Sequence, residues 1–162
     1  MTTNPDTTHP DTGDLMPTMA MELPDGTSIS AADFAGRKLV VFFYPKDDTP
    51  GCTIENLDFT ALKAEFDAAG VALLGVSKDP PAKHVKFAAK HSLAVPLASD
   101  AAENGVSDAL GIWTLKSMYG RTYIGMERTT YLVDPAGRIA RVWRKVKVKG
   151  HAAEVLEAAR AL

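Results

Sequence analysis

The chain is 162 residues long, 46% apolar and 23% charged, the balance of one soluble globular domain with enough length to bury a sizeable core. A formal net charge of −2 is too small to steer it to nucleic acid or an acidic membrane surface, and no run approaches the roughly 18 apolar residues of a membrane-spanning helix. Its single cysteine, Cys52, excludes an internal disulfide framework and a structural zinc site built from several cysteines.

Residues 1 to 14 are rich in Thr, Asp and Pro and hold almost nothing to bury, so they read as a flexible tail ahead of one domain over residues 15 to 162. They contain no basic segment followed by an apolar one, so no secretory signal is expected and the expected location is cytoplasmic. Pro24-Asp25-Gly26 predicts a turn, with Thr27 to Ser30 leading out of it. The unbroken β-branched and aromatic run from Leu39 to Tyr44 predicts a strand buried on both faces. From about Pro50 to Ala69, Ile54, Leu57, Phe59, Leu62, Phe66 and Ala69 recur at helical spacing, and Gly70 stands where a helix-ending glycine belongs. Val71 to Val76 predicts a second buried strand. Pro80-Pro81 opens a helix through about His91, with Val85, Phe87 and Ala88 on its inner side.

A short strand over 95 to 98 and a short helix over 102 to 110 follow. Tyr131-Leu132-Val133 is a further strand, turned by Asp134-Pro135-Ala136-Gly137 into a hairpin partner over 139 to 148. The closing helix spans 152 to 162. Strands alternating with helices predict an α/β domain with a central mixed β-sheet flanked by helices. A reactive-looking turn between the first long strand and a helix suits a thioredoxin-like fold.

That turn reads Tyr44-Pro45-Lys46-Asp47-Asp48-Thr49-Pro50-Gly51-Cys52-Thr53. Thr49 suits the N-cap and Pro50 the first helical position, which puts Cys52 in the first turn. A helix N-terminus presents unpaired N–H groups and about half a positive charge, so it favours an anion such as a thiolate there. Gly51 leaves the backbone open to a small polar ligand. Arg128 stands just before the Tyr131 strand, from which a cation could reach the Cys52 end of the sheet.

Pro45-x-x-x-Thr49-x-x-Cys52, together with Arg128 ahead of a Tyr-Leu-Val-Asp strand, resembles the peroxiredoxin family, and within it the bacterioferritin comigratory protein or PrxQ branch. The resemblance runs from about Leu15 to the C-terminus and includes the Pro-Asp-Gly opening, Val-Val-Phe-Phe-Tyr-Pro and Gly150-His151. It implies an enzyme that reduces hydrogen peroxide and alkyl hydroperoxides. Cys52 would attack the peroxide and become a sulfenic acid. Thr49 would hold the peroxide, Arg128 would stabilise the thiolate and polarise the O–O bond, and Pro45 would shield the sulfur. The backbone at Gly51 would help hold the oxygens. Glu55 would either join the hydrogen bonding around Arg128 or complement the helix dipole. No metal or other cofactor is implied.

The chain departs from that branch at Leu57, where many members carry a resolving cysteine. The resemblance therefore implies a one-cysteine cycle, closed by thioredoxin, glutaredoxin or glutathione, in a monomer or homodimer. A thiol–disulfide oxidoreductase is disfavoured because Thr49 replaces the first cysteine of Cys-x-x-Cys. The alternative is a redox-sensing or binding protein of the same fold without rapid turnover.

Several other residues have plain readings. His84 and His91 lack a third metal ligand and are expected on solvated surface, as are the loop acids Asp47 and Asp48. Lys145, Lys147 and Lys149 read as a guarded edge of the late strand rather than a nucleic-acid stripe. Trp113, Tyr119 and Tyr123 would line the pocket mouth through a loop, or else pack in the core or against a partner.

Overall fold

The computed structural model describes residues 9–162. Pro24-Asp25-Gly26 turns the chain between two short strands, β1 (Met21–Glu22) and β2 (Ser28–Ile29). The long apolar run forms β3 (Lys38–Phe43), and Pro50 opens α1 (Pro50–Ala68). Gly70 follows the end of α1 at φ +74°, the left-handed turn that a glycine accepts without strain. Then come β4 (Val71–Ser77), α2 (Pro81–His91), β5 (Leu97–Ser99) and the five-residue α3 (Val106–Leu110). A hairpin, β6 (Trp113–Met118) and β7 (Arg121–Met126), precedes β8 (Thr129–Val133), β9 (Ile139–Trp143) and α4 (His151–Ala161).

Seven strands make one mixed sheet in the order β2-β1-β5-β4-β3-β8-β9. The β3–β4 and β4–β5 pairs are parallel, while β8 lies antiparallel to β3, with Thr129 opposite Phe43. β3 is covered on both faces, as its unbroken apolar run requires. Val40 and Phe42 face a core closed by α1 and α4, where Phe42 stacks on Phe59 at 4.3 Å between ring centres. Leu39, Val41 and Phe43 face a second core with Val106, Leu110, Ile112 and Tyr131. Burial of each such large apolar side chain contributes about 1.5–3 kcal/mol, so the ends of β3 are fixed firmly. The loop that leaves it starts from a rigid base.

Four expectations are corrected. β9 ends at Trp143, and Lys145 adopts the left-handed φ of +48°, so Lys145, Lys147 and Lys149 are not on a strand. Residues 113–126 form a hairpin rather than a loop, turned at Tyr119 and Gly120 with positive φ at both. The inner side of α2 is His84, Phe87, Ala88 and His91, the i, i+3, i+4, i+7 stripe, and Val85 is half exposed. Residues 102–105 stay outside α3.

Residues 1–8 of the expected tail lie outside the described residues. Next to its end, Gly13 N–H donates to Ile139 at 2.8 Å and Ile139 N–H to Asp14 at 2.8 Å, which joins this segment to the β8–β9 turn.

Candidate active site

Cys52 lies in the first turn of α1 and is 1% exposed. Thr53 N–H is the first to find an acceptor within the helix, the Thr49 carbonyl at 2.9 Å. The helix itself therefore offers no acceptor to the N–H groups of Gly51 and Cys52. Asn56 is fully buried and donates from Nδ2 to the Cys52 carbonyl at 2.9 Å, which tightens this first turn. Thr49 occupies the N-cap position, but its hydroxyl makes no capping bond. It donates instead to the Lys46 carbonyl at 2.8 Å, within the loop.

The cation comes from the neighbouring strand. Thr129 pairs with Phe43, so Arg128, one residue earlier, stands level with the point where β3 gives way to the loop. Glu127 N–H donates to Ile112 and Val146 N–H to Arg128, and these bonds fix the backbone on both sides. The guanidinium reaches across to α1. Nη1 donates to Glu55 Oε1 at 2.7 Å, and Nη2 lies 3.4 Å from Cys52 Sγ. An added Cβ at Gly51 would come within 3.2 Å of Nη2, so the glycine lets the cation approach this closely.

Glu55 is 1% exposed, and its second oxygen, Oε2, has no partner. Burial pushes its carboxyl up to about 7, against the pull of Arg128. For Arg128 burial works the other way, but Glu55 and the Cys52 sulfur raise the guanidinium above its ordinary value, so it stays charged. Glu55 thus shares a hydrogen bond with Arg128 from one oxygen and leaves the other buried and unpaired.

A cleft of about 720 Å³ opens against Arg128, bounded by Pro45, Glu127, Lys145, Val146 and the β6 residues Thr114 to Ser117. Nothing in the sequence marks Thr114 to Ser117 as cleft residues, because their strand carries no turn or charge signal that points to the cysteine. Tyr119 is 96% exposed at the hairpin tip, and Trp113 packs under Lys78 instead. The histidines and acids of the sequence reading are also placed differently. Asp47 and His84 are buried against each other, and Asp48 meets His91 at the surface. Hydrophobicity alone hides such pairs. Among the described residues no group of three or more His, Cys, Asp or Glu is arranged to hold a metal ion, and no helix is long and apolar enough to cross a membrane.

The AhpC/TSA family model matches residues 12–142. Peroxiredoxin Bcp of Xanthomonas campestris is 48% identical over 143 residues, which cover 88% of this chain and 89% of that protein. Peroxiredoxin Bcp of Bacillus subtilis is 41% identical over 145 residues, covering 90% and 92%. Structures of the Xanthomonas campestris bacterioferritin comigratory protein, solved as trapped intermediate and ligand complexes bearing on its alkyl peroxide reduction activity, superpose with a TM-score of 0.85. That match has 45% identity and covers 93% of this chain and 98% of that one. The thioredoxin-like arrangement expected from the order of elements is the fold these proteins share. With the family model spanning residues 12–142, relatives 41% and 48% identical and the fold matched, this chain belongs to the AhpC/TSA family, as a peroxiredoxin enzyme of the bacterioferritin comigratory protein type that carries one cysteine.

Proposed function

We propose that this chain is a thiol-dependent peroxidase in which Cys52 reduces hydrogen peroxide and alkyl hydroperoxides and is recycled by an external thiol. The observation that carries the reading is the Arg128 guanidinium held by Glu55 at 2.7 Å and set 3.4 Å from the Cys52 sulfur. The Cys52 thiolate attacks the terminal oxygen of ROOH, an S–O bond forms, and the O–O bond breaks. The sulfur is oxidised by two electrons to the sulfenic acid, and RO⁻ leaves to take a proton as ROH. Negative charge grows on the leaving oxygen, where Arg128, the free N–H groups of Gly51 and Cys52 and the Thr49 hydroxyl can meet it. Pro45, on the wall of the cleft, keeps water from the sulfur.

Because Leu57 stands where a resolving cysteine would, the return path is intermolecular. A first thiol displaces water from the sulfenic acid to give a mixed disulfide, and a second thiol releases Cys52. Thioredoxin, glutaredoxin and glutathione supply such thiols, and the cytoplasm keeps them reduced. The burial of Cys52 favours a second reading, a redox sensor, because a sulfenic acid that bulky thiols reach slowly would persist.

The test is one equivalent of hydrogen peroxide added to the reduced protein, with intact mass read within seconds and again after dithiothreitol. A gain of one oxygen at Cys52, or a Cys52-linked dimer, that the thiol reverses is the expected result. An unchanged mass after minutes would sink the reading. Steady turnover with glutathione or thioredoxin separates the peroxidase from the sensor.

A further inference from the structure

The loop between β3 and α1 is tied to the rest of the domain through Asp47, a side chain the peroxide chemistry does not use. Its carboxylate is 3% exposed. Oδ1 accepts from the Tyr44 hydroxyl at 2.6 Å, Oδ2 lies 2.6 Å from His84 Nδ1, and the Asp47 N–H donates to Asp79 at 2.7 Å. His84, fully buried on α2, sets its other nitrogen, Nε2, 3.0 Å from the Ala98 carbonyl of β5. A carbonyl only accepts, so the hydrogen-bond network assigns a hydrogen to Nε2 and one further proton between Nδ1 and Oδ2.

The flanking groups agree with this assignment. Burial, and then Asp47, push the Tyr44 phenol up, so it keeps its proton and donates. Burial opposes the charge of Asp79, but the Asp47 N–H, Ser77 and Lys83 together hold its carboxyl below the usual range. Every donor and acceptor named here is matched. Asp48 adds a weaker outer contact, at φ +59°, to Lys90 at 2.8 Å and His91 at 3.0 Å.

Pro45 and Thr49 stand two residues on either side of Asp47, and the Thr49 hydroxyl is satisfied inside the loop itself. Where these two residues are held is therefore set by where Asp47 is pinned. We propose that Asp47 and His84 are positioning residues for the peroxide step, a buried pair that holds the Pro45–Thr49 loop against α2 and β5. This rests on the peroxidase reading of Cys52.

Asp47→Asn preserves the arrangement: its amide donates to His84 Nδ1, its oxygen accepts from Tyr44, and His84 Nε2 still donates to Ala98. Asp47→Ala removes it. The test compares single-turnover oxidation of Cys52 by hydrogen peroxide, which needs the loop, with alkylation by iodoacetamide, which needs only an accessible thiolate. Asp47→Ala is expected to slow oxidation about 10- to 100-fold, the loss typical of misplaced reacting groups, with alkylation slowed less than about threefold. Asp47→Asn should keep most of the peroxide rate. If Asp47→Ala does not fold, Asp79→Ala, which frees the Asp47 N–H, carries the same comparison. Unchanged peroxide rates in a folded variant, a parallel fall of both reactions, or an Asp47→Asn as slow as Asp47→Ala would each overturn the proposal. Wild-type protein inert to peroxide would instead overturn the reading it rests on.

Discussion

A buried thiol reacts with peroxide only if its negative charge is supported and the leaving oxygen is met. In the proposed reaction the Arg128 guanidinium serves both needs, held by Glu55 and admitted to the sulfur by Gly51. Removing it should cost about 10²- to 10³-fold in the rate of Cys52 oxidation, as losses of one transition-state donor generally do. Arg128→Ala should still fold. Glu55 would lose its cation, but burial already raises that carboxyl to about 7, so it can take up a proton rather than stay buried as a bare charge. Gly51→Ala is gentler. Its Cβ would press on Nη2 at 3.2 Å and move the cation by tenths of an ångström, for which a roughly tenfold slowing is expected. Stopped-flow oxidation with thermal melts decides both, and Cys52→Ser gives the zero. A wild-type rate in folded Arg128→Ala would remove the arginine from the mechanism.

At the scale of elements, α1 carries both the proposed nucleophile, Cys52, and Leu57, the position a resolving cysteine would occupy. Cys52 and Leu57 are five residues apart, about 140° around an α-helix, so they face different sides. Leu57 is 39% exposed, whereas Cys52 points into the core. A disulfide between these positions needs the first turns of α1 to unwind. Leu57→Cys tests whether the helix can do this. After one equivalent of peroxide it should show the mass of an intramolecular disulfide and a loss of far-ultraviolet helical signal, both reversed by dithiothreitol. A stable added oxygen with unchanged helicity would mean that α1 stays wound. What the sequence revealed follows from the same elements. β3 was legible because burial on both faces demands an unbroken apolar run, and the Thr49–Cys52 turn because few sequences place those residue types at that spacing. The buried face of α2 is hidden in the sequence because a histidine fully paired with Asp47 and Ala98 looks polar, and Val85 beside it looks like the inward residue. Lys145, Lys147 and Lys149 alternate as a strand does, but the left-handed Lys145 ends the pairing. The β6–β7 hairpin turns on Tyr119-Gly120 rather than the Asn-Gly or Asp-Gly that marks such turns plainly.

Over the whole molecule, two buried groups give the stability opposite dependences on pH. Glu55 rises from an ordinary 4.5 to about 7, chiefly through burial, so the folded state binds its proton more tightly than the unfolded chain. Its contribution is fully present below about 4.5 and is lost as pH climbs to about 7. His151 starts α4 and lies between the Phe59 and Trp143 rings, with Nε2 2.8 Å from the Thr130 hydroxyl. Burial pushes its imidazole down from an ordinary 6.5 to about 4. The unfolded chain then takes up the proton first as pH falls, so this contribution is present above about 6.5 and lost towards 4. Each swing is on the order of 3 kcal/mol, and because the windows overlap they largely cancel. Single variants should separate them. Glu55→Gln should gain stability relative to wild type as pH rises from 4.5 to 7, and His151→Gln should gain as pH falls from 6.5 to 4. Urea unfolding at half-unit steps of pH measures both slopes. Parallel curves for wild type and Glu55→Gln would mean that the Arg128 pair keeps Glu55 ionised throughout, and the cation at Cys52 would then be neutralised at every pH where the enzyme is folded.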